Sequence, residues 1–279
     1  MREITAEAIT TAIRDLCISA NRNLPEDVAD ALREARREEP FAPAQDMLDI
    51  LIRNEGIART TCMPVCQDTG MAIVFAEIGQ EVHIVGDFET AVHAGVHAGY
   101  VQGLLRKSVV GDPLRRVNTG DNTPAIIHTR LVPGDRVTLT VAPKGFGSEN
   151  MSRLKMLTPA QGVEGVKNFV LETVRLAGAN PCPPMILGIG LGGDFERVAE
   201  MAKEALMLPL YEHNPDAYYA DLERELLAAV NETGIGPQGF GGRTTCLGLH
   251  ILQGPTHIAG LPVAVNVSCH VTRHKTTVL

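Results

Sequence analysis

Ala125-Ile126-Ile127-His128-Thr129-Arg130-Leu131-Val132-Pro133-Gly134-Asp135-Arg136-Val137-Thr138-Leu139-Thr140-Val141-Ala142 holds two strand-like runs, Ala125 to Leu131 and Val137 to Ala142, on either side of a turn. Proline fixes φ and glycine permits φ above zero, so Pro133-Gly134-Asp135 predicts a hairpin between those strands. Upstream, Met71 to Ala76 and Val82 to Val85 read as strands and Phe88 to Lys107 as a helix. From Ile4 to about Arg59 the pattern is helical: Ala8, Ile9, Ala12, Ile13 and Leu16 recur at three and four, as do Met47, Leu48, Ile50 and Leu51. Pro25, before Glu26 and Asp27, marks the start of a second helix. Downstream, Val163 to Leu176, Phe195 to Leu208 and Ala217 to Thr233 read as helices. Met185 to Ile189, Thr245 to Leu252 and Leu261 to Val267 read as strands. Helix runs mixed with an apparent hairpin predict an α+β fold rather than a doubly wound sheet: a helical section over residues 1–60, then a mixed sheet with flanking helices. No internal repeat or linker stands out, so a single domain over 1–279 is expected.

A chain of 279 residues, 44% hydrophobic and 21% charged, can bury a substantial core. Its net charge of −8 lacks the basic stripe of a sequence-independent nucleic-acid binder, and 4% aromatics with no tryptophan offer little for base stacking. Small anions are not excluded, because a few local arginines can hold them. No apolar run is long enough for a membrane helix and Met1-Arg2-Glu3-Ile4-Thr5 lacks a signal-peptide pattern, so the cytoplasm is the expected location. In that reducing setting the six cysteines are expected to be buried, metal-bound or catalytic rather than disulfide-paired.

Three of those cysteines keep unusual company. Cys66-Gln67-Asp68-Thr69-Gly70 sets a thiol, an amide, a carboxylate and a hydroxyl in a row. Asn180-Pro181-Cys182-Pro183-Pro184 holds a thiol in a stiff segment short of backbone donors. Val267-Ser268-Cys269-His270 supplies the third. Three soft ligands beside an acid suggest a metal cluster with chemistry next to it, although separations of 116 and 87 residues (182 − 66 and 269 − 182) are no zinc-finger spacing. For Cys17, Cys62 and Cys246 the expected role is inert packing, with Cys62 kept as a spare ligand. Glycine-rich polar loops, Asn118 to Asn122, Lys144 to Asn150, Gly234 to Gly239 and Gly241-Gly242, can bring backbone amides close to a ligand.

Other patterns carry less. His93 and His97 have the i, i+4 spacing of a zinc pair, but no glutamate stands between them, and a hydrogen-bonded helix face is the ordinary reading. Gly188, Gly190 and Gly193 match a dinucleotide fingerprint without a clean βαβ unit around them, and Asp194 sits where a helix N-cap would. Arg106-Lys107 could bind a carboxylate or merely complement a helix dipole.

Together these segments resemble the alpha chain of two-subunit, class I, iron–sulfur fumarate hydratases, with L-tartrate dehydratase alpha as a near relative. Cys66 to Gly70, Val117-Asn118-Thr119-Gly120, Lys144 to Ser148, Asn180 to Pro184, Gly234 to Gly239 and Val265 to His270 carry the resemblance. It implies an iron–sulfur hydro-lyase alpha-type catalytic domain over 1–279, interconverting fumarate and (S)-malate, with an L-tartrate dehydratase alpha subunit or, outside the enzymes, a noncatalytic cluster-binding subunit as the alternatives. It further implies that Cys66, Cys182 and Cys269 ligate a 4Fe–4S cluster whose fourth iron has no protein ligand and acts as a Lewis acid. By the same resemblance Asp68 takes part in proton transfer, and Gln67, Arg106, Gly147 and His257 contact the dicarboxylate. Single-chain relatives continue into a second domain beyond the point where this chain stops, so a separate beta subunit is expected to complete the site in a hetero-oligomer.

Overall fold

The computed structural model describes residues 1–279. In chain order it contains β1 (Arg2–Thr5), α1 (Ala6–Arg22), α2 (Glu26–Glu38), α3 (Ala42–Thr61), β2 (Met71–Gly79), β3 (Val82–Val85), α4 (Phe88–Gln102), β4 (Ile126–Val132), β5 (Val137–Lys144), α5 (Phe146–Glu149), β6 (Arg153–Leu157), α6 (Gly162–Ala177), β7 (Met185–Gly193), α7 (Phe195–Ala205), α8 (Ala217–Asn231), β8 (Cys246–Thr256), β9 (Leu261–Ser268) and β10 (Lys275–Val278). This is an α+β fold. The chain divides into two units, one of residues 1–25, 55–146 and 273–279, the other of residues 26–54 and 147–272. No helix is long and apolar enough to cross a membrane.

In the first unit the turn at Pro133-Gly134-Asp135 forms, but the strands it joins do not pair, which corrects the expected hairpin. The sheet order is β10-β5-β2-β4. Central β2 runs parallel to β4 (Ile73 opposite Ile126) and antiparallel to β5 (Met71 opposite Lys144). Two strand spacings separate β4 from β5, roughly 9.6 Å, and the four residues Pro133 to Arg136 arch across that gap. The end of β2 is pinned beneath the arch: Gly79 and Gln80 donate to the carbonyls of Arg136 and Val132, both at 2.8 Å, and Glu81 donates to Gly134 at 2.9 Å. The core gathers Ile9, Ile13 and Cys17 of α1 with Val92, Val96 and Tyr100 of α4 against Val74, Leu139 and Val141. The expected N-terminal helical section is α1 to α3, preceded by β1, which pairs in parallel with β3. Helix α4 ends at Gln102 and not Lys107, capped by Gly103.

In the second unit the order is β6-β9-β7-β8, again with the central strand parallel to one neighbour (β8) and antiparallel to the other (β9). Strand alternation sorts residues by size. Leu187, Ile189, Val263, Val265 and Val267 meet Phe169, Val170, Val174, Leu222 and Leu226 of α6 and α8. Gly188 and Gly190 turn to the other face, where a Cβ would stand 2.1 Å from the carbonyl oxygens of Ala202 and Val198 in α7. The run resembling a dinucleotide fingerprint is therefore a buried strand, its glycines spent on close helix packing. Strands β6 and β10, short and polar on one face, escaped the sequence pattern, as did α5.

Candidate functional site

All the unusual loops lie at the same end of their sheets. In the first unit, Cys66 to Gly70 leads into β2, Thr119 to Pro124 leads into parallel β4, and Gly145-Phe146 follows antiparallel β5. Gly70, at φ +72, lies against the Lys144 backbone so closely that a Cβ would meet it at 2.6 Å. Half-buried Asp68 is held by backbone donors, Gly70 N to Oδ1 at 3.1 Å and Phe146 N to Oδ2 at 2.9 Å. An Arg273 guanidinium N–H donates to its carbonyl. Exposed Gln67 precedes it, and the Cys66 thiol is half-buried. Arg106 stands on a loop bonded to this one: its N–H donates to Thr69 Oγ1 at 2.9 Å and its carbonyl accepts from the same hydroxyl at 3.1 Å. Cys66, Gln67, Asp68 and Arg106 are thus on two stapled loops.

In the second unit, Asn180 to Pro184 leads into β7, the Gly234 to Thr245 loop leads into β8, and Cys269-His270 follows β9. Cys182 adopts φ +54, unusual for a residue with a Cβ, and its thiol is exposed between buried prolines. His270 Nδ1 lies 2.9 Å from the Cys182 carbonyl. An oxygen of that kind has no proton to give, so Nδ1 is the donor. Gln238 closes the other side, its Nε2 and backbone N donating to the Pro183 carbonyl at 2.7 and 2.8 Å. Gly147 adjoins the same segment; a Cβ there would meet only Asn180 O, at 3.7 Å, so neither strain nor crowding demands glycine.

His257 is elsewhere. It follows β8 in the exposed turn to β9, beside the far end of β7, where its Nδ1 accepts from Ala259 N at 3.2 Å. The length of β7 separates that turn from Cys182 and Cys269, about 26 Å at about 3.3 Å per residue. The structure does not bring His257 to those cysteines within one chain, because β8 carries it away along the sheet.

The cysteines separate into two kinds. Burial pushes the Cys17 and Cys246 thiols up to about 12, as suits packing residues. Cys66, Cys182 and Cys269 keep access to solvent and stand in loops, a donor set that fits a soft iron–sulfur group. No group of three His, Cys, Asp or Glu side chains that could hold a metal ion is gathered in the structure. Cys62 is exposed just past α3, at φ +56, and so is not a packing residue. The His93–His97 pair is divided: His93 Nδ1 accepts from Ala125 N at 3.3 Å, while His97 Nδ1 lies 3.2 Å from Asp121. Burial would raise the Asp121 carboxyl, but donors from Thr123 and His97 hold it down to about 2.

A family model described as "Fumarate hydratase (Fumerase)" matches residues 10–278. The chain is 40% identical over 272 residues to the "Putative L(+)-tartrate dehydratase subunit alpha" of Methanocaldococcus jannaschii, covering 95% of both chains. It is 29% identical over 272 residues to the L(+)-tartrate dehydratase subunit alpha of Escherichia coli strain K12, covering 96% of this chain and 89% of that one.

Proposed function

The chain belongs to the fumarate hydratase (Fumerase) family, and from that premise we propose that it is the alpha subunit of a two-subunit hydro-lyase interconverting fumarate and (S)-malate. Cys66, Cys182 and Cys269 are the proposed ligands of a 4Fe–4S cluster. When bound, such a cluster supplies a Lewis-acidic iron with an open position. Removing water from malate takes a weakly acidic C3 proton, so a positioned base must act there. Asp68 suits this role, since one backbone N–H on each oxygen fixes its plane and leaves lone pairs for the substrate. Arg106 can grip one substrate carboxylate with two parallel hydrogen bonds, which a lysine cannot do. Gln67 offers an amide beside Asp68, and Gly147 leaves room for substrate against the chain. His257, a strand's length from the cysteines of its own chain, serves this reaction only from a second copy.

The observation that carries the proposal is the loop pair in which Asp68, held by Gly70 and Phe146, is stapled through Thr69 to Arg106. An acid and a carboxylate-gripping guanidinium on one framework suit a hydroxy diacid. L(+)-tartrate is the second reading, favoured by the names of the relatives at 40% and 29% identity. A separate beta subunit is part of either reading, supported by the word "subunit" in those names. Malate formation by wild type and Asp68→Asn, each reconstituted with the beta chain, tests it. A drop of at least a hundredfold is expected, and equal rates would sink the role of Asp68. Turnover of fumarate against L(+)-tartrate by the same complex decides the substrate.

A further inference from the structure

Arg106 leaves α4 through Leu104, which takes φ +54, and enters an irregular loop that offers its backbone no strand partner. The Thr69 hydroxyl, on a side chain only 1% exposed, fills that role from both sides: it accepts from Arg106 N at 2.9 Å and donates to Arg106 O at 3.1 Å. Two residues on, fully buried Asn122 repeats the device. Its Oδ1 accepts from Ser108 N at 2.7 Å, and its Nδ2 donates to Gly70 O at 3.0 Å. Residues 106 and 108 are thus laddered to 69 and 70 by side chains instead of backbone. Beneath them the Tyr100 hydroxyl, buried and kept protonated, donates to Thr69 O at 2.7 Å. The Arg106 side chain stays exposed while its backbone is held on both flanks.

We propose that Thr69, backed by Asn122, is a positioning residue for dicarboxylate recognition: its hydroxyl fixes the Arg106 backbone against the Asp68 loop, so that guanidinium and carboxylate meet the substrate at a set separation. This rests on the reading of Arg106 as a carboxylate ligand. A buried hydroxyl in a glycine-flanked loop has a structural explanation too, since it satisfies a buried N–H. The two roles differ in what they do once Arg106 is gone.

The test is a double-mutant cycle in the alpha–beta complex, read as KM and kcat for fumarate hydration. Thr69→Val keeps the shape and removes the hydroxyl, and Thr69→Ser keeps the hydroxyl. Thr69→Val is expected to raise KM about tenfold, Thr69→Ser less than twofold, and Arg106→Ala to raise KM more than either. In the Arg106→Ala background, Thr69→Val should add nothing to KM. Additive effects, or a Thr69→Val enzyme with wild-type KM, overturn the inference while leaving Arg106 in place. An unchanged KM for Arg106→Ala overturns the underlying reading instead. Should Thr69→Val fail to fold, Thr69→Ala carries the same cycle.

Discussion

Replacing His270 tests how the second unit holds Cys182. The Cys182 backbone stands at φ +54, where a non-glycine residue carries a penalty of about 1–2 kcal/mol. Its carbonyl accepts from His270 Nδ1 at 2.9 Å and from the His270 backbone N–H at 3.5 Å. One such bond contributes a net of about 0.5–1.5 kcal/mol, comparable to the penalty it opposes. Removing the Nδ1 bond should lower the equilibrium constant for the strained turn by about 2- to 12-fold. If Cys182 is a cluster ligand, apparent iron affinity falls by at most that factor, because only the competent conformer binds. His270→Leu and His270→Asn would be reconstituted anaerobically and challenged with an iron chelator, reading iron retained per chain. His270→Leu should lose iron more readily, by up to about 12-fold. His270→Asn, whose amide can replace the Nδ1 donor, should stay within about twofold. A leucine variant that keeps iron as long as wild type would refute the reasoning.

Glu39 is 1% exposed and receives the N–H groups of Arg243 and Thr244 and the Thr244 hydroxyl at 2.9 to 3.1 Å. Burial would raise its carboxyl, but these donors, with Phe41 N, outweigh burial and hold it below the usual range. Its unfolded value is about 4.3, so the stability it contributes is present above that pH and is lost as pH falls toward the lower folded value. Glu39→Gln should lower stability by about 2–4 kcal/mol at pH 7, with the gap closing below about pH 4 in urea melts; a pH-independent gap would show that the charge is irrelevant. Gly190→Ala would drive a Cβ to 2.1 Å from Val198 O and should cost about 1–3 kcal/mol as α7 is pushed off the sheet. Thermal melting checks this, and a dinucleotide should leave the wild-type midpoint unmoved, against the fingerprint reading.

The helices were legible because α1, α4, α6 and α8 each bury one stripe, and periodicity reports a stripe directly. Strands β2, β3, β4 and β5 were equally legible as strands, yet their pairing was not. Pro133-Gly134-Asp135 specifies a reversal, and a reversal looks the same locally whether or not a third strand lies between its arms. The only hint was length: Pro133 to Arg136 is four residues, more than the tightest hairpins use. The Cys66, Cys182 and Cys269 segments stood out because their residue types make poor core. Thr69, Asn122, Gln238 and His270 lie in segments that also stood out, but their stapling roles did not, since a side chain that staples two loops has no sequence period and its partner is distant in the chain. Two of these pairs, Gln238 with Pro183 and His270 with Cys182, are 55 and 88 residues apart.

The two units share one strand plan, which places Cys66 and Cys182 at corresponding positions. The orders β10-β5-β2-β4 and β6-β9-β7-β8 match strand for strand, each with a central strand parallel to one neighbour and antiparallel to the other. In both, three loops meet at the start of the central strand: the one leading into it, the one leading into its parallel neighbour, and the one leaving its antiparallel neighbour. Both units staple these loops with side chains. Asp68 bonds Phe146 N and Asn122 bonds Gly70 in the first; His270 bonds Cys182 and Gln238 bonds Pro183 in the second. Cys66 and Cys182 occupy the same loop of the plan, and Cys269 stands where Gly145 stands in the other unit. Corresponding loops of the two sheets are far apart in the chain, so no short motif could hold Cys66 and Cys182 together. The turn holding His257 corresponds to Pro133-Gly134-Asp135 and lies at the opposite end of its sheet. A residue there stands a strand's length, about 26 Å, from Cys182 and Cys269 of its own chain, so the proposal that gives His257 a place beside them takes it from a second copy.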